Sequence, residues 1–184
     1  RHSHPGKLLY EVWMNDFMET YADSIIIPGS GPVDKKYEHK FRYDMDLSRI
    51  FWQKKDTVYW LNISAAQPAD TQYRWGWETS IDRWNDYAVR GDSTPIWDLV
   101  EHPFYNPDTT LFLEKFVDMA FELTTCRGPI KWIQFPDMAD GRNIPSFPES
   151  IVADDFLCTN GKPVTQVHFW GSYLSRGGVH WEED

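Results

Sequence analysis

The sequence predicts an all-β fold: a β-sandwich or jelly-roll-like domain with long Pro- and Gly-rich loops and little helix. Three observations predict it. Aromatic residues make up 16% of the chain, with ten Trp, nine Tyr and eleven Phe, a composition that favours strands and broad packing surfaces. Short apolar runs recur with a period near two, and 12 Pro and 11 Gly spread along the chain cut them into many short elements. No long amphipathic helix is visible, so roughly nine to eleven short strands are expected.

Leu8–Met14 reads as a strand behind a His4-Pro5-Gly6 turn, and Asn15–Ala22 as a short helical turn or loop. Ser24–Ile27 is a compact apolar run stopped by Pro28-Gly-Ser-Gly-Pro32. Tyr37–Met45 alternates, with Tyr37, Phe41 and Tyr43 on one face, and Leu47–Phe51 reads as a separate short piece. Thr57–Ser64 is the clearest strand. Tyr73–Trp77 carries Gly76 at its centre, which marks a bulge or a close contact. Asp86–Arg90 is a further short strand, and 91–110 is loop-like. Lys115–Thr125 places Val117, Met119, Phe121 and Leu123 on a uniformly apolar face, with Phe116, Asp118, Ala120 and Glu122 out of phase.

Pro129–Leu174 is the stretch the rest of the chain is arranged around. Ile130, Trp132 and Phe135 open it, a Pro- and Asp-rich middle follows, and a turn at Asn160-Gly-Lys-Pro163 leads into Val164–Leu174. Val164, Val167, Phe169 and Tyr173 do not alternate strictly, so this last strand is expected to be covered on both sides for part of its length.

At 184 residues the chain is long enough for one domain with a substantial core. Residues 1–127 are expected to form the main body of a sandwich, and 128–184 to complete it or that of a neighbour. The net charge of −10 argues against nucleic acid or an anionic membrane as partner. No apolar run approaches the roughly 20 residues needed to span a bilayer. The start at Arg1-His-Ser-His4, without Met, is expected of a processed chain or a piece of a longer one.

Cys126 and Cys158 are the only cysteines. They read either as one disulfide of an exported protein, worth about 3–4 kcal/mol in the chain-entropy model, or as two buried free thiols. Asp154 and Asp155, with Asp137 and Asp140, could offer oxygens to Ca²⁺. No Asp-x-Asp-x-Asp-Gly loop is present, however, and adjacent strand residues point to opposite faces. The expectation is no cofactor, with Ca²⁺ as the weak alternative. His168 reads as a core or interface histidine. Asn62 opens the only N-x-S/T sequon, inside the best strand. Trp75, Trp77 and Trp84 could form a platform for sugar rings, although core or interface packing is the commoner use of such residues. Glu78 and Asp82 could pair as glycosidase acids, but nothing places them across a cleft. No nucleophile elbow or other reaction signature is present, so the chain is not read as an enzyme.

Several phrases carry a resemblance. They are Lys131-Trp-Ile-Gln-Phe-Pro-Asp137, Ala153-Asp-Asp-Phe-Leu-Cys-Thr159, Val164-Thr-Gln-Val-His-Phe-Trp-Gly-Ser-Tyr173, His4-Pro-Gly-Lys-Leu-Leu9, Val58-Tyr-Trp-Leu61, Trp75-Gly-Trp-Glu-Thr79 with Trp84-Asn-Asp86, and Met119-Ala-Phe-Glu-Leu-Thr124. Together they resemble a family of uncharacterised domains in large exported proteins of planctomycetes and other environmental bacteria. No activity attaches to that family. In the domains this chain resembles, the Lys131–Tyr173 type of block opens the unit and the His4–Thr124 type closes it. Here the opening block comes last. The resemblance therefore implies a circular permutation or, more economically, a window cut from a tandem array.

The functional expectation is a structural building block of an extracellular or cell-surface assembly, built in tandem or head to tail. Val164, Val167, Phe169, Trp170 and Tyr173 would be the assembly segment, completing a sandwich by strand complementation. The partners would be copies of itself or neighbouring repeats, with glycans as further candidates. The alternative is a carbohydrate-binding module using exposed tryptophans.

Overall fold

A computed structural model describes residues 3–26, 37–67, 73–92, 96–103, 115–125 and 128–175. Among them there is no helix. The strands are β1 (Met18–Ile26), β2 (Tyr37–Phe51), β3 (Thr57–Asn62), β4 (Tyr73–Glu78), β5 (Val89–Gly91), β6 (Trp97–Leu99), β7 (Phe121–Thr124), β8 (Ile130–Gln134), β9 (Asn143–Pro145), β10 (Ile151–Cys158) and β11 (Val164–Ser175). One sheet runs β1-β2-β11-β4-β9, with β7 paired to both β11 and β8, and the other runs β3-β10-β5-β6. All the strand pairs are antiparallel. The all-β, sandwich-like architecture expected of the sequence is the one the chain adopts.

β11 is the hub. One side pairs with β2 from Val164↔Phe51 to Tyr173↔His39. The other is shared by β7, opposite Gln166–Phe169, and β4, opposite Gly171–Ser175. Val164, Val167, Phe169, Trp170 and Tyr173 thus take the self-completing one of the two arrangements left open by the sequence. Their strand is saturated on both sides within its own chain, so it has no free edge to lend a neighbour. Strands from 128–184 take the middle of both sheets, and β10 lies between β3 and β5.

The core lies between the sheets. Tyr43 stacks on Phe169 at 5.0 Å between ring centres, and Trp75 meets Phe169 edge-on at 5.9 Å. Phe121 and Phe156, 6.0 Å apart, tie one sheet to the other. Trp77 is fully buried, and its indole N–H donates to Ala120 O at 2.8 Å. Val117, Met119, Phe121 and Leu123 all face this core, as their alternation requires. Gly76 is a close contact: a Cβ there would lie 2.7 Å from Asn143 Cγ.

Local readings fail where pairing decides. Leu8–Met14 has the composition of a strand but no partner, and it runs as an unpaired arm. The strand begins instead at Met18, inside the stretch read as a helical turn or loop, because β2 supplies a partner from Met18↔Asp44 to Ile26↔Tyr37. Leu47–Phe51 continues β2, since a bulge opposite Val164–Gln166 absorbs the change of register. β6 lies within the expected loop, held by β5. The Pro28–Pro32 turn lies outside the described residues.

Candidate functional site

Trp75 and Trp77 are buried in the core, so they offer no face to a sugar. Trp84 is half-buried and set edge-on against Trp132 at 5.0 Å, at the margin of the same core. The three therefore form no sugar platform, and core packing, the commoner use expected of such residues, is the one Trp75 and Trp77 adopt. Asn62 is exposed on β3, but its Nδ2 already donates to Val152 O (2.7 Å) and Ser64 Oγ (3.0 Å). Cys158 is a free, fully buried thiol, and Lys131 Nζ lies 3.4 Å from its sulfur. Cys126 lies outside the described residues. Glu78 is sealed from solvent, and Asp82 accepts a hydrogen bond from Phe135 N at 2.6 Å, so the two do not flank an open cleft as glycosidase acids would.

Asp154 and Asp155 are both completely buried. Asp154 accepts from Met119 N (2.7 Å), Gln134 Nε2 (2.9 Å) and Asp155 N (2.8 Å), while Asp155 accepts from Asn85 Nδ2 (2.6 Å). Asp118 joins them, accepting from Trp84 N at 3.0 Å. Burial, with neighbouring carboxylates adding to it, pushes all three upward: Asp118 to about 6, Asp155 to about 7, and Asp154 well above the ordinary range. Among the described residues, no group of three or more His, Cys, Asp or Glu side chains is arranged to hold a metal ion. Asp137 Oδ1 instead caps a turn through the amides of Ala139 and Asp140.

A second buried polar cluster lies on the outer face of the larger sheet. Glu38, Lys40 and Glu78 are each fully buried. Lys40 Nζ sits 3.0 Å from Glu78 Oε2 and donates to the carbonyls of Asp137 (2.8 Å) and Gly141 (3.0 Å). Glu38 Oε1 accepts from Asn143 N (2.9 Å) and Ser172 Oγ (2.7 Å). Burial and the nearby Glu38 raise Glu78 to about 7 against the pull of Lys40. Sequence reasoning missed this cluster, because a charged residue at every second position is also the pattern of a solvated face. The signal that could have found it is the pairing of Lys40 with Ser172, and of Ser172 with Gly76, small residues that leave room for a covering loop.

Farther along that face, His168 Nδ1 is 2.5 Å from Asp44 Oδ1, which also accepts from Arg42 Nε at 2.8 Å. Burial alone would raise Asp44, but these two partners outweigh it and hold the carboxyl below its ordinary value. Arg42 also lies over the Trp170 ring, 5.4 Å from its centre. His168 therefore sits in a polar cross-strand ladder.

The open surface is elsewhere. The arm ahead of β1 is anchored at intervals: Ser3 bonds Asp86, His4 stacks on Trp97, Tyr10 donates to Arg49 O at 2.6 Å, and Phe17 packs edge-on against Tyr43. Between these anchors it exposes Leu8, Leu9 and Trp13, and β1 goes on to expose Met18 and Tyr21. β1 ends its sheet, with no partner beyond β2 among the described residues. Ile50 and Trp52, at and just beyond the end of β2, are exposed as well.

A family model described as a domain of unknown function (DUF7901) matches residues 1–124 and 130–184. No curated protein and no solved structure matches the chain.

Proposed function

This chain belongs to the DUF7901 family, and from that premise we propose that it is a structural building block of an extracellular or cell-surface assembly. The observation that carries the reading is the apolar arm and β1 edge. Within residues 8–21, five large apolar side chains are more than half exposed, with Trp13 at 70% and Met18 at 60%, and they run along the arm and β1, whose outer edge has no strand partner among the described residues. Such a strip is out of place on an isolated domain and suits a protein interface. The likeness to domains of large exported bacterial proteins supports the same setting. Contact would pass through the β1 edge of one unit to a different edge of the next, a heterologous geometry that extends rather than closes. β11 would not be exchanged.

The test is the mass of the purified full chain in solution by light scattering across a concentration series, followed by cryo-electron microscopy of any oligomer. Concentration-dependent oligomers whose interface includes Met18 and Trp13 are expected. A compact monomer at the highest concentrations would overturn the reading.

A second reading keeps a carbohydrate-binding module in view, on different residues from those first expected. Trp13 and Trp52 are exposed at 70% and 71%. Quenching of tryptophan fluorescence by a polysaccharide, abolished by Trp13→Ala or Trp52→Ala, would favour this reading over assembly.

A further inference from the structure

We propose that Lys40 and Glu78 become joined by an intramolecular isopeptide bond, a covalent staple between β2 and β4 across β11. The two residues sit in a dry pocket, both fully buried, with Nζ 3.0 Å from a carboxyl oxygen. As an ion pair this arrangement is expensive, because each charge loses its water and a second carboxylate, Glu38, lies in the same pocket without an ammonium of its own. Burial favours the neutral form of the Glu78 carboxyl, which is pushed up to about 7.

The geometry then orients the amine. A neutral Lys40 has two N–H bonds and one lone pair. The carbonyls of Asp137 and Gly141 accept the two hydrogens, at 2.8 and 3.0 Å, so the lone pair is left facing the third contact, the Glu78 carboxyl group. Glu38 Oε2 is buried with no hydrogen-bond partner.

The step balances without an oxidant. Lys40 gives a proton to Glu78 across their 3.0 Å contact, and its Nζ lone pair attacks Cδ of the resulting carboxylic acid. The Nζ–Cδ bond forms and the Cδ–OH bond breaks. The hydroxyl leaves as water with one of the two remaining Nζ protons, and the product is a neutral amide. Fixed proximity replaces a bimolecular encounter, and exclusion of solvent disfavours the return hydrolysis. Asn143 lies in the same pocket, with its Oδ1 buried and unbonded, and it is the competing electrophile.

Intact-mass spectrometry of the denatured full chain tests this directly. The expected mass is lower than that of the sequence by one water, and peptide mapping should recover one branched peptide joining the Lys40 and Glu78 segments. A folded protein that keeps its full sequence mass after long incubation at neutral pH overturns the proposal. Loss of one ammonia, with the branch at Asn143, overturns the assignment to Glu78. Lys40→Arg should restore the full mass and lower the unfolding midpoint; should that variant fail to fold, the wild-type mass still decides. None of these outcomes depends on whether the chain assembles.

Discussion

At Gly171 a methyl group has nowhere to go. A Cβ there would lie 2.5 Å from Trp75 Nε1, inside the ring plane that packs on Phe169. Gly171→Ala should therefore destabilise the fold by about 2 kcal/mol, measurable in urea unfolding, because the tryptophan can retreat only by disturbing the core. The buried carboxylates set a pH dependence of definite sign. An unfolded Asp titrates near 4, whereas folded Asp118 and Asp155 titrate at about 6 and about 7. Their folded values are raised, so their favourable contribution is full below about pH 4 and is lost as pH rises to about 7. Asp44 behaves in the opposite way: its folded value is depressed, so it stabilises above about pH 4 and fails as the solution becomes more acidic. Thermal unfolding should accordingly show higher stability near pH 5 than near pH 8. Asp155→Asn should narrow that difference, and an unchanged gap would show that this carboxyl is not part of it. None of this was legible beforehand. Asp118 lies out of phase with the apolar face of its strand, and Asp154 and Asp155 offer only a weak Ca²⁺ reading beside a hydrogen-bonding one, because period-two spacing does not say whether a second face is covered.

At the scale of elements, what a segment pairs with outweighed what it is made of. Leu8–Met14 has strand composition and stays unpaired, whereas Met18–Tyr21, read as a turn or loop, becomes the first strand. The turn before β11 was legible because its chemistry is local. Gly161 takes φ +64°, a conformation that L side chains avoid, although space at its Cβ is ample. Gly161→Ala should cost about 1 kcal/mol from backbone strain alone. The edge strand carries a separate expectation. Met18→Lys should leave stability within about 0.5 kcal/mol, since the side chain is exposed, while weakening any association that runs through β1. Loss of folding with that substitution would mean the residue is internal to the sandwich after all.

Across the whole molecule, the two stretches of the family match interleave. β10 and β11, from 130–184, pair with β3 and β5 in one sheet and with β2, β4 and β7 in the other. Neither stretch owns a complete sheet. Fragments 1–127 and 128–184 should each be unfolded when expressed alone and should regain the sandwich when mixed, as read by circular dichroism and size exclusion. Independent folding of either fragment would contradict the interleaving. The division at the β7–β8 connection was readable from the order of the sequence phrases. That 128–184 completes the sandwich of its own chain, and not only that of a neighbour, was not.

The sequence by itself determined the all-β class, the apolar face of Val117–Leu123, the strand of Thr57–Asn62, the close approach at Gly76 and the two-sided burial of the last strand. Each rests on periodicity, composition or turn chemistry, which act over a few residues. Only the tertiary structure decided that β11 closes its own sheet, and that Glu38, Lys40 and Glu78 share a sealed pocket. Those outcomes depend on which distant strand lies beside which, and on what covers the outer face. Strand pairing is set by contacts between residues as far apart as Glu38 and Ser172, and a short local pattern carries no record of them.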